Sequence, residues 1–388
     1  MPHGLCDASG HSLPYTDWAG NARVGPAPGV GYNGENSSAN ERMANERMTN
    51  QSPSQKPVYQ STSLPILLTG ITGFIAGHLG ERLLAEGIPV RGTARRPDAA
   101  EWLAAQGAEI AQADLLDPAS LTRAAAGCRV VVHAAAWTGG PELAPETGYR
   151  VNVEGTRNML AAAQAAGVER FIYISSVAVY GVNGAPLVDE SMPTPPVGQA
   201  YSDSKIAAET LVRGSSLPCV IVRPASTYGP RGTAWTVGPI ENIKQGRLVL
   251  LGRDTGLVTP GYIDNVVDGL MLALIHPAAL AEAFNLCDDR AVTFREFYLT
   301  YARMLGKESL PTVPGWFAGF ARSGPGRLAR RLTGRPEVGP WSLHFRRNPS
   351  QFSVAKAQRL LGYAPRVDFA EGMRRTEAWL RAEAYLGG

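Results

Sequence analysis

Between Leu64 and Pro224 the chain repeats one rhythm, a short and nearly all-apolar run followed by a helical pattern or a long loop. The runs are "PILLTG", "PVRGTA", "AEIAQAD", "RVVVHAAA", "RFIYISS" and "PCVIVRP". The first leads into "FIAGHLGERLLAEG", where Ile75, Leu79, Leu83 and Leu84 fall at helical spacing. Strands that are apolar on both faces belong in a parallel sheet covered by helices on both sides. Right-handed crossovers then predict an α/β fold built on a doubly wound open sheet. With 388 residues, 44% of them hydrophobic, the chain is long enough for one large core or two interleaved ones.

The rhythm also marks boundaries. Residues 1–63 are rich in Gly, Pro, Ser and Asn, poor in Leu, Ile and Val, and carry the tandem repeat "ANERMANERM". Such a segment buries too little apolar surface to offset its chain entropy, so a disordered extension is expected. Residues 64–230 form the expected nucleotide-binding sheet domain, with 258–287 returning to it. After Gly229 the elements shorten between Gly/Pro-rich connections and close on the helical "FAEGMRRTEAWLRAEAYL". Residues 231–257 and 288–388 are therefore expected to build a smaller, mostly helical substrate lobe beside the sheet's carboxyl edge.

Composition excludes several classes. A formal charge of +3 with no dense basic face argues against nucleic acid as a partner. Cys6, Cys128, Cys219 and Cys287 are far apart, with neither a CxxC motif nor a Cys/His cluster. The expectation is reduced thiols and no metal site. No window reaches the roughly 18 apolar residues of a membrane span, and no basic-then-apolar leader opens the chain. A cytoplasmic protein is expected.

Gly70, Gly73 and Ala76 lie between the first strand and the first helix, the context in which a glycine pattern signals a dinucleotide. Gly70 permits the tight turn and Gly73 lets the backbone approach a pyrophosphate. The free N–H groups that open the helix, with Phe74 and Ile75, would face the phosphates. The third position needs only close packing of helix on strand, which alanine allows. At the end of the second strand an acidic residue normally holds the ribose of NAD. Here "VRGTARRPD" places Arg91, Arg95 and Arg96 there, with no carboxylate before Asp98. Guanidinium groups suit a 2′-phosphate, so NAD(P) is the expected cofactor with NADP favoured over NAD. The alternative is a solvated basic loop.

"YSDSK" opens the helical stretch "AYSDSKIAAETLVRG", so Tyr201 and Lys205 share a face at i and i+4. A phenol titrating near 10 is a poor proton donor or acceptor at neutral pH. A neighbouring ammonium would favour the phenolate and fit Tyr201 for general acid–base work. Ser175 and Ser176, in "FIYISSVAVYG", stand at the carboxyl end of a core strand, where open α/β sheets place their sites.

Taken with "TGITGFIA", "ADLLD", "VVHAAA", "NVEGT", "RPASTYGP" and "GYIDNVVDG", these motifs run in one family's order. From about Leu64 onward the chain resembles an extended short-chain dehydrogenase/reductase, of the NAD(P)-dependent epimerase/dehydratase superfamily. The resemblance implies Ser176, Tyr201 and Lys205 as the catalytic set, with Ser176 chosen by its distance from "VYG". Tyr201 would move the proton, while Lys205 would lower its pKa and bind the nicotinamide ribose. Asp114 and Leu115 would meet the adenine, Ala134 and Ala135 would line the cofactor through their backbones, and Pro224 would face the nicotinamide. Asn152 corresponds to a family asparagine on the central helix, with a packing role as the alternative. Asp264 is expected to cap a helix, His133 to pack at a strand end, and Trp137 either to edge the cleft or to pack.

The later motifs are similar to the 3β-hydroxysteroid dehydrogenase-like branch, and "VRGTARRPD" is similar to dihydroflavonol-reductase-like members. The implied function is hydride exchange between nicotinamide and a secondary alcohol or ketone on a steroid-like or other hydrophobic small molecule. A nucleotide-sugar epimerase or dehydratase using the same set is one alternative; a non-catalytic redox sensor is another. In residues 315–336, "GWFAGFARSGPGRLARRLTGRP", aromatic residues precede five arginines with no acid. A solvated basic face is expected there, and peripheral contact with an anionic membrane is the alternative. Family members often pair through the two long helices flanking the sheet, which makes a homodimer a further expectation.

Overall fold

The computed structural model describes residues 64–139, 143–181, 184–252, 256–314 and 349–386. The expectations for residues 1–63 and for the basic-aromatic stretch 315–336 lie outside the described residues. The seven strands of the main sheet are β1 (Ile66–Thr69), β2 (Val90–Ala94), β3 (Glu109–Gln112), β4 (Val130–His133), β5 (Arg170–Ile174), β6 (Cys219–Pro224) and β7 (Ala283–Leu286). They pair in the order β3-β2-β1-β4-β5-β6-β7, every pair parallel. The order reverses at β1 and β4, and a crevice opens there beyond the strands' carboxyl ends.

The apolar runs are continuous because each strand is covered twice. Ile66 and Leu68 of β1, Val130 and Val132 of β4, and Val220 and Val222 of β6 join one core cluster. Their neighbours Leu67, Val131 and Ile221 join the other. Alternate side chains point to opposite faces, so both faces must be apolar. The first cluster also holds residues of α1 (Phe74–Ala85) and α6 (Ile263–Ile275). The second holds residues of α2 (Pro118–Ala125), α3 (Pro145–Ala165) and α4 (Ala200–Arg213).

The short run "AFNL" becomes β7 and extends the sheet past β6. Of the later helices, α8 (Ala355–Leu361) packs on β7, α5 (Gly238–Lys244) on α7 (Phe294–Met304), and α9 (Phe369–Ala382) on the short strand Pro260–Tyr262. Asp264 does not cap α6, contrary to expectation. The helix begins at Ile263, so Asp264 sits inside its first turn, exposed and paired with Arg375 at 3.2 Å. The N–H of Tyr262, the residue just before the helix, bonds instead to Oδ1 of the buried Asp288 at 3.0 Å. Among the described residues, no helix is long and apolar enough to cross a membrane.

Candidate active site

The cofactor end grows from the turn after β1. Gly70 has φ +68°, and a Cβ there would stand 2.8 Å from the Ala135 Cα, so both backbone conformation and space require glycine. Gly73 precedes α1 with extended backbone, and its N–H donates to the Gly70 carbonyl at 2.8 Å. No side chain caps α1 and its first turn holds no acid, which leaves those N–H groups and the positive dipole end to an anion. Ala76 is buried in the core, as the expected close packing allows. The pattern left one glycine unread. A Cβ on Gly92 of β2 would lie 2.6 Å from the Ile71 side chain, so this residue makes room for the turn.

Thr69 organises the opposite lip. Its hydroxyl accepts the N–H groups of Ala134 and Ala135 at 3.1 and 3.0 Å. Ala134 and Ala135 follow β4 at the sheet's carboxyl edge, Ala135 beside Gly70, and their N–H donors are spent on Thr69. With two donors accepted, the Thr69 proton goes to His133 Nδ1 at 2.8 Å. His133 Nε2 then donates to Thr156 Oγ1 at 3.2 Å, whose hydroxyl donates to the Asn152 carbonyl at 2.7 Å. Burial, with Lys205 nearby, pulls this imidazole down to about 3, so His133 is a neutral packing residue.

Beyond β3, the Asp114 carboxylate accepts the Leu116 N–H at 2.8 Å, and the Leu115 carbonyl accepts from Asn158 at 2.8 Å. Both residues are half-buried at the sheet's carboxyl edge. The three arginines of "VRGTARR" separate. Arg91 donates to the carbonyls of Ala124 and Ala126 at 2.9 and 2.6 Å and pairs with Glu109 at 2.8 Å, tying the start of β2 to the end of α2. Arg91 therefore leaves the set. Arg95 and Arg96 are exposed, and neither guanidinium has a hydrogen bond or ion pair among the described residues.

The chemical end lies between β5 and α4. Ser175 is buried and its hydroxyl has no partner among the described residues. Ser176 is half-buried, accepts the Ala178 N–H at 3.1 Å and has its hydroxyl near enough to the Tyr201 phenol to lower its pKa. Lys205 is buried; its ammonium donates to the Ile174 carbonyl at 2.8 Å and lies 4.9 Å from the Tyr173 ring centroid. Thus Ser176, Tyr201 and Lys205 converge, and Ser176 rather than Ser175 meets the phenol. Pro224 ends β6, level with Leu286 of β7.

The charge balance differs from the expectation of a phenol lowered by its ammonium neighbour. Burial raises Tyr201 above its ordinary value, and the Ser176 hydroxyl beside it recovers part of that rise. Burial pulls Lys205 down to about 7, while the Glu209 carboxylate pushes it back up. An ammonium lowers a neighbouring phenol only while it carries its proton, so desolvation of Lys205 weakens the effect.

Asn152 fixes the frame around this set. Its Oδ1 accepts the Trp137 N–H at 2.7 Å, and its Nδ2 donates to the Trp137 carbonyl at 2.9 Å and to Ser204 Oγ at 2.8 Å. Ser204 in turn donates to the Tyr201 carbonyl at 2.7 Å. Trp137 packs: it is buried, and a Cβ on Gly148 of α3 would stand 2.2 Å from its ring.

A glycine cradle at an uncapped helix start and a Ser/Tyr/Lys cluster across the same crevice fit a nicotinamide dinucleotide. Residues 66–287 match the NAD dependent epimerase/dehydratase family. The chain belongs to that family. It is 32% identical over 315 residues to a 4-hydroxy-2-methyl-3-oxo-4-farnesyl-3,4-dihydroquinoline-1-oxide ketoreductase of Stigmatella aurantiaca, covering 79% of this chain and 93% of that one. A 3-beta-hydroxysteroid dehydrogenase of Mycolicibacterium neoaurum is 30% identical over 335 residues, 77% of this chain and 87% of that one. The crystal structure of gox2253 superposes with a TM-score of 0.69 at 30% identity, covering 83% of this chain and 99% of that one. This member is an enzyme of the extended short-chain dehydrogenase/reductase type.

Proposed function

We propose that this enzyme is an NAD(P)-dependent dehydrogenase/reductase that interconverts a secondary alcohol and a ketone on a small, hydrophobic molecule. The observation that carries the reading is the convergence of Ser176, Tyr201 and Lys205 at the sheet's carboxyl edge, across the crevice from Gly70 and α1. A bound nicotinamide supplies or takes the hydride. Ser176 orients the substrate oxygen; Tyr201 donates its phenolic proton to a carbonyl or takes one from an alcohol. Lys205, held by the Ile174 carbonyl, binds the nicotinamide ribose and supplies positive charge beside the phenol. Asp114 and Leu115 meet the adenine, and Pro224 flanks the nicotinamide.

A hydrophobic substrate is supported by the relatives named for a farnesylated quinoline oxide and for 3-beta-hydroxysteroids. The family description also covers epimerases and dehydratases, which keeps a self-regenerating reaction as the second reading. Mass spectrometry of the cofactor retained by the purified protein separates the two. The reductase reading expects an exchangeable cofactor; tightly held stoichiometric NAD with no ketone-dependent oxidation of NADPH would overturn it.

The exposed Arg95, with no acid between it and the strand, favours NADP. Arg95→Ala is expected to weaken NADPH binding on the order of tenfold to a hundredfold, the loss of one or two charge-assisted hydrogen bonds. NADH binding should hardly move. Fluorescence titration of both cofactors measures this, and an equal loss for both would refute the preference.

A further inference from the structure

Arg223 and Glu209 form a buried ion pair just behind the proposed proton-transfer set, 2% and 3% exposed. Arg223 lies in β6 and Glu209 on α4. Arg223 Nε donates to Glu209 Oε1 at 2.8 Å and its Nη2 to Oε2 at 2.6 Å. Its Nη1 donates to the Tyr180 hydroxyl at 2.7 Å, and that hydroxyl donates to Asn285 Oδ1 on β7 at 2.8 Å. The guanidinium also lies 4.8 Å from the Tyr180 ring centroid.

A buried ion pair adds little stability over apolar residues of the same size, because both charges give up water. Its value here is geometric. Tyr180 ends the short turn Val177–Tyr180 that Ser176 caps. Glu209 stands one helical turn beyond Lys205 and two beyond Tyr201, on the same face of α4. One planar guanidinium, forked onto a carboxylate, therefore ties the serine turn to the tyrosine helix.

We propose that Arg223 and Glu209 are positioning residues: their pair, closed by Tyr180, holds Ser176 in register with Tyr201 and sets a carboxylate one turn from Lys205. The proposal rests on the reading of Tyr201 and Lys205 as the proton-transfer pair. The groups facing Lys205 show why the carboxylate matters. Tyr201 and Glu209 face it from α4, Tyr173 and the Ile174 carbonyl from β5, and neutral His133 from β4. Arg223 and, at 3.7 Å, the exposed Arg213 act on it through Glu209. Glu209 supplies the negative charge in this group and opposes the desolvation of the ammonium.

The test follows the two protonation equilibria by NMR in the full chain labelled with [13Cε]lysine and [13Cζ]tyrosine. The chain has five lysines, Lys56, Lys205, Lys244, Lys307 and Lys356, so substitution assigns each signal. Glu209→Gln is expected to lower the Lys205 midpoint by about one pH unit, a tenfold loss of the charged form at a given pH. Because that variant leaves Arg223 buried and unpaired, the neutral double variant E209Q/R223M is measured beside it; its midpoint should fall as well, since the nearer charge is the one lost. Tyr180→Phe removes only a hydroxyl. It should leave the Lys205 midpoint in place and raise that of Tyr201, as the Ser176 turn loosens. A merely structural pair would lower thermal stability and leave both midpoints at their wild-type values, and that result overturns the proposal. The midpoints need no substrate, so they can move as expected even if no ketone is turned over. In that case the positioning role stands and the assigned reaction fails.

Discussion

Tyr201→Phe is expected to reduce turnover about 10²- to 10⁴-fold while leaving cofactor affinity within a few-fold of wild type. On the proposed reading the Tyr201 phenol carries the proton to or from the substrate oxygen, and phenylalanine keeps its shape without the hydroxyl. His133 cannot replace it, since its imidazole is neutral and both ring nitrogens are occupied by Thr69 and Thr156. Lys205 cannot replace it either, because its ammonium is turned to the Ile174 carbonyl. Steady-state rates with a responsive ketone, beside a fluorescence titration of NADPH, check both halves. A variant with unchanged turnover would remove Tyr201 from the chemistry.

Gly70→Ala carries the second large effect, on binding and folding together. The methyl group would meet the Ala135 backbone at 2.8 Å, in a backbone conformation with φ +68°. Left-handed backbone costs an L-residue about 1–2 kcal/mol, and overpacking adds roughly 1–3 kcal/mol. Relief requires the turn to move away from Ala135, which also moves the N–H groups of α1. The expected result is a loss of dinucleotide affinity of at least about tenfold, with a fall in melting temperature of several degrees. Gly73→Ala is the milder control. That position has extended backbone, and an added Cβ would meet only the Gly70 carbonyl, at 3.0 Å. Equal affinity and equal melting for Gly70→Ala and wild type would contradict this account of the cradle.

The sheet was legible because burial on both faces leaves an apolar run that no loop imitates. The candidate Ser/Tyr/Lys cluster was legible because its residues lie close in sequence or at strand ends. Arg91 shows where reading stopped. Three arginines in six residues look alike in the sequence, yet Arg91 is consumed by the carbonyls that end α2, while Arg95 and Arg96 stay exposed. Asp264 misled in another way, because the helix starts at Ile263, two residues earlier than a cap at Asp264 would place it, and no side chain caps it. The lowered Lys205 was invisible because desolvation depends on what packs around a side chain. Arg223 and Glu209 did leave a signal: a charge inside the apolar "PCVIVRP" needs a buried partner, and Glu209 sits at i+4 from Lys205.

Transfer of deuterium from C4-labelled NADPH or NADH to a ketone tests the hydride transfer proposed for this enzyme. The ketones should include 3-oxosteroids and prenylated cyclic ketones, and products are read by mass spectrometry. Deuterium is expected on the carbinol carbon, with one oxidised cofactor released per alcohol formed and both lost in Tyr201→Phe. Interconversion of a nucleotide sugar with the cofactor retained and no net oxidation would contradict that proposal.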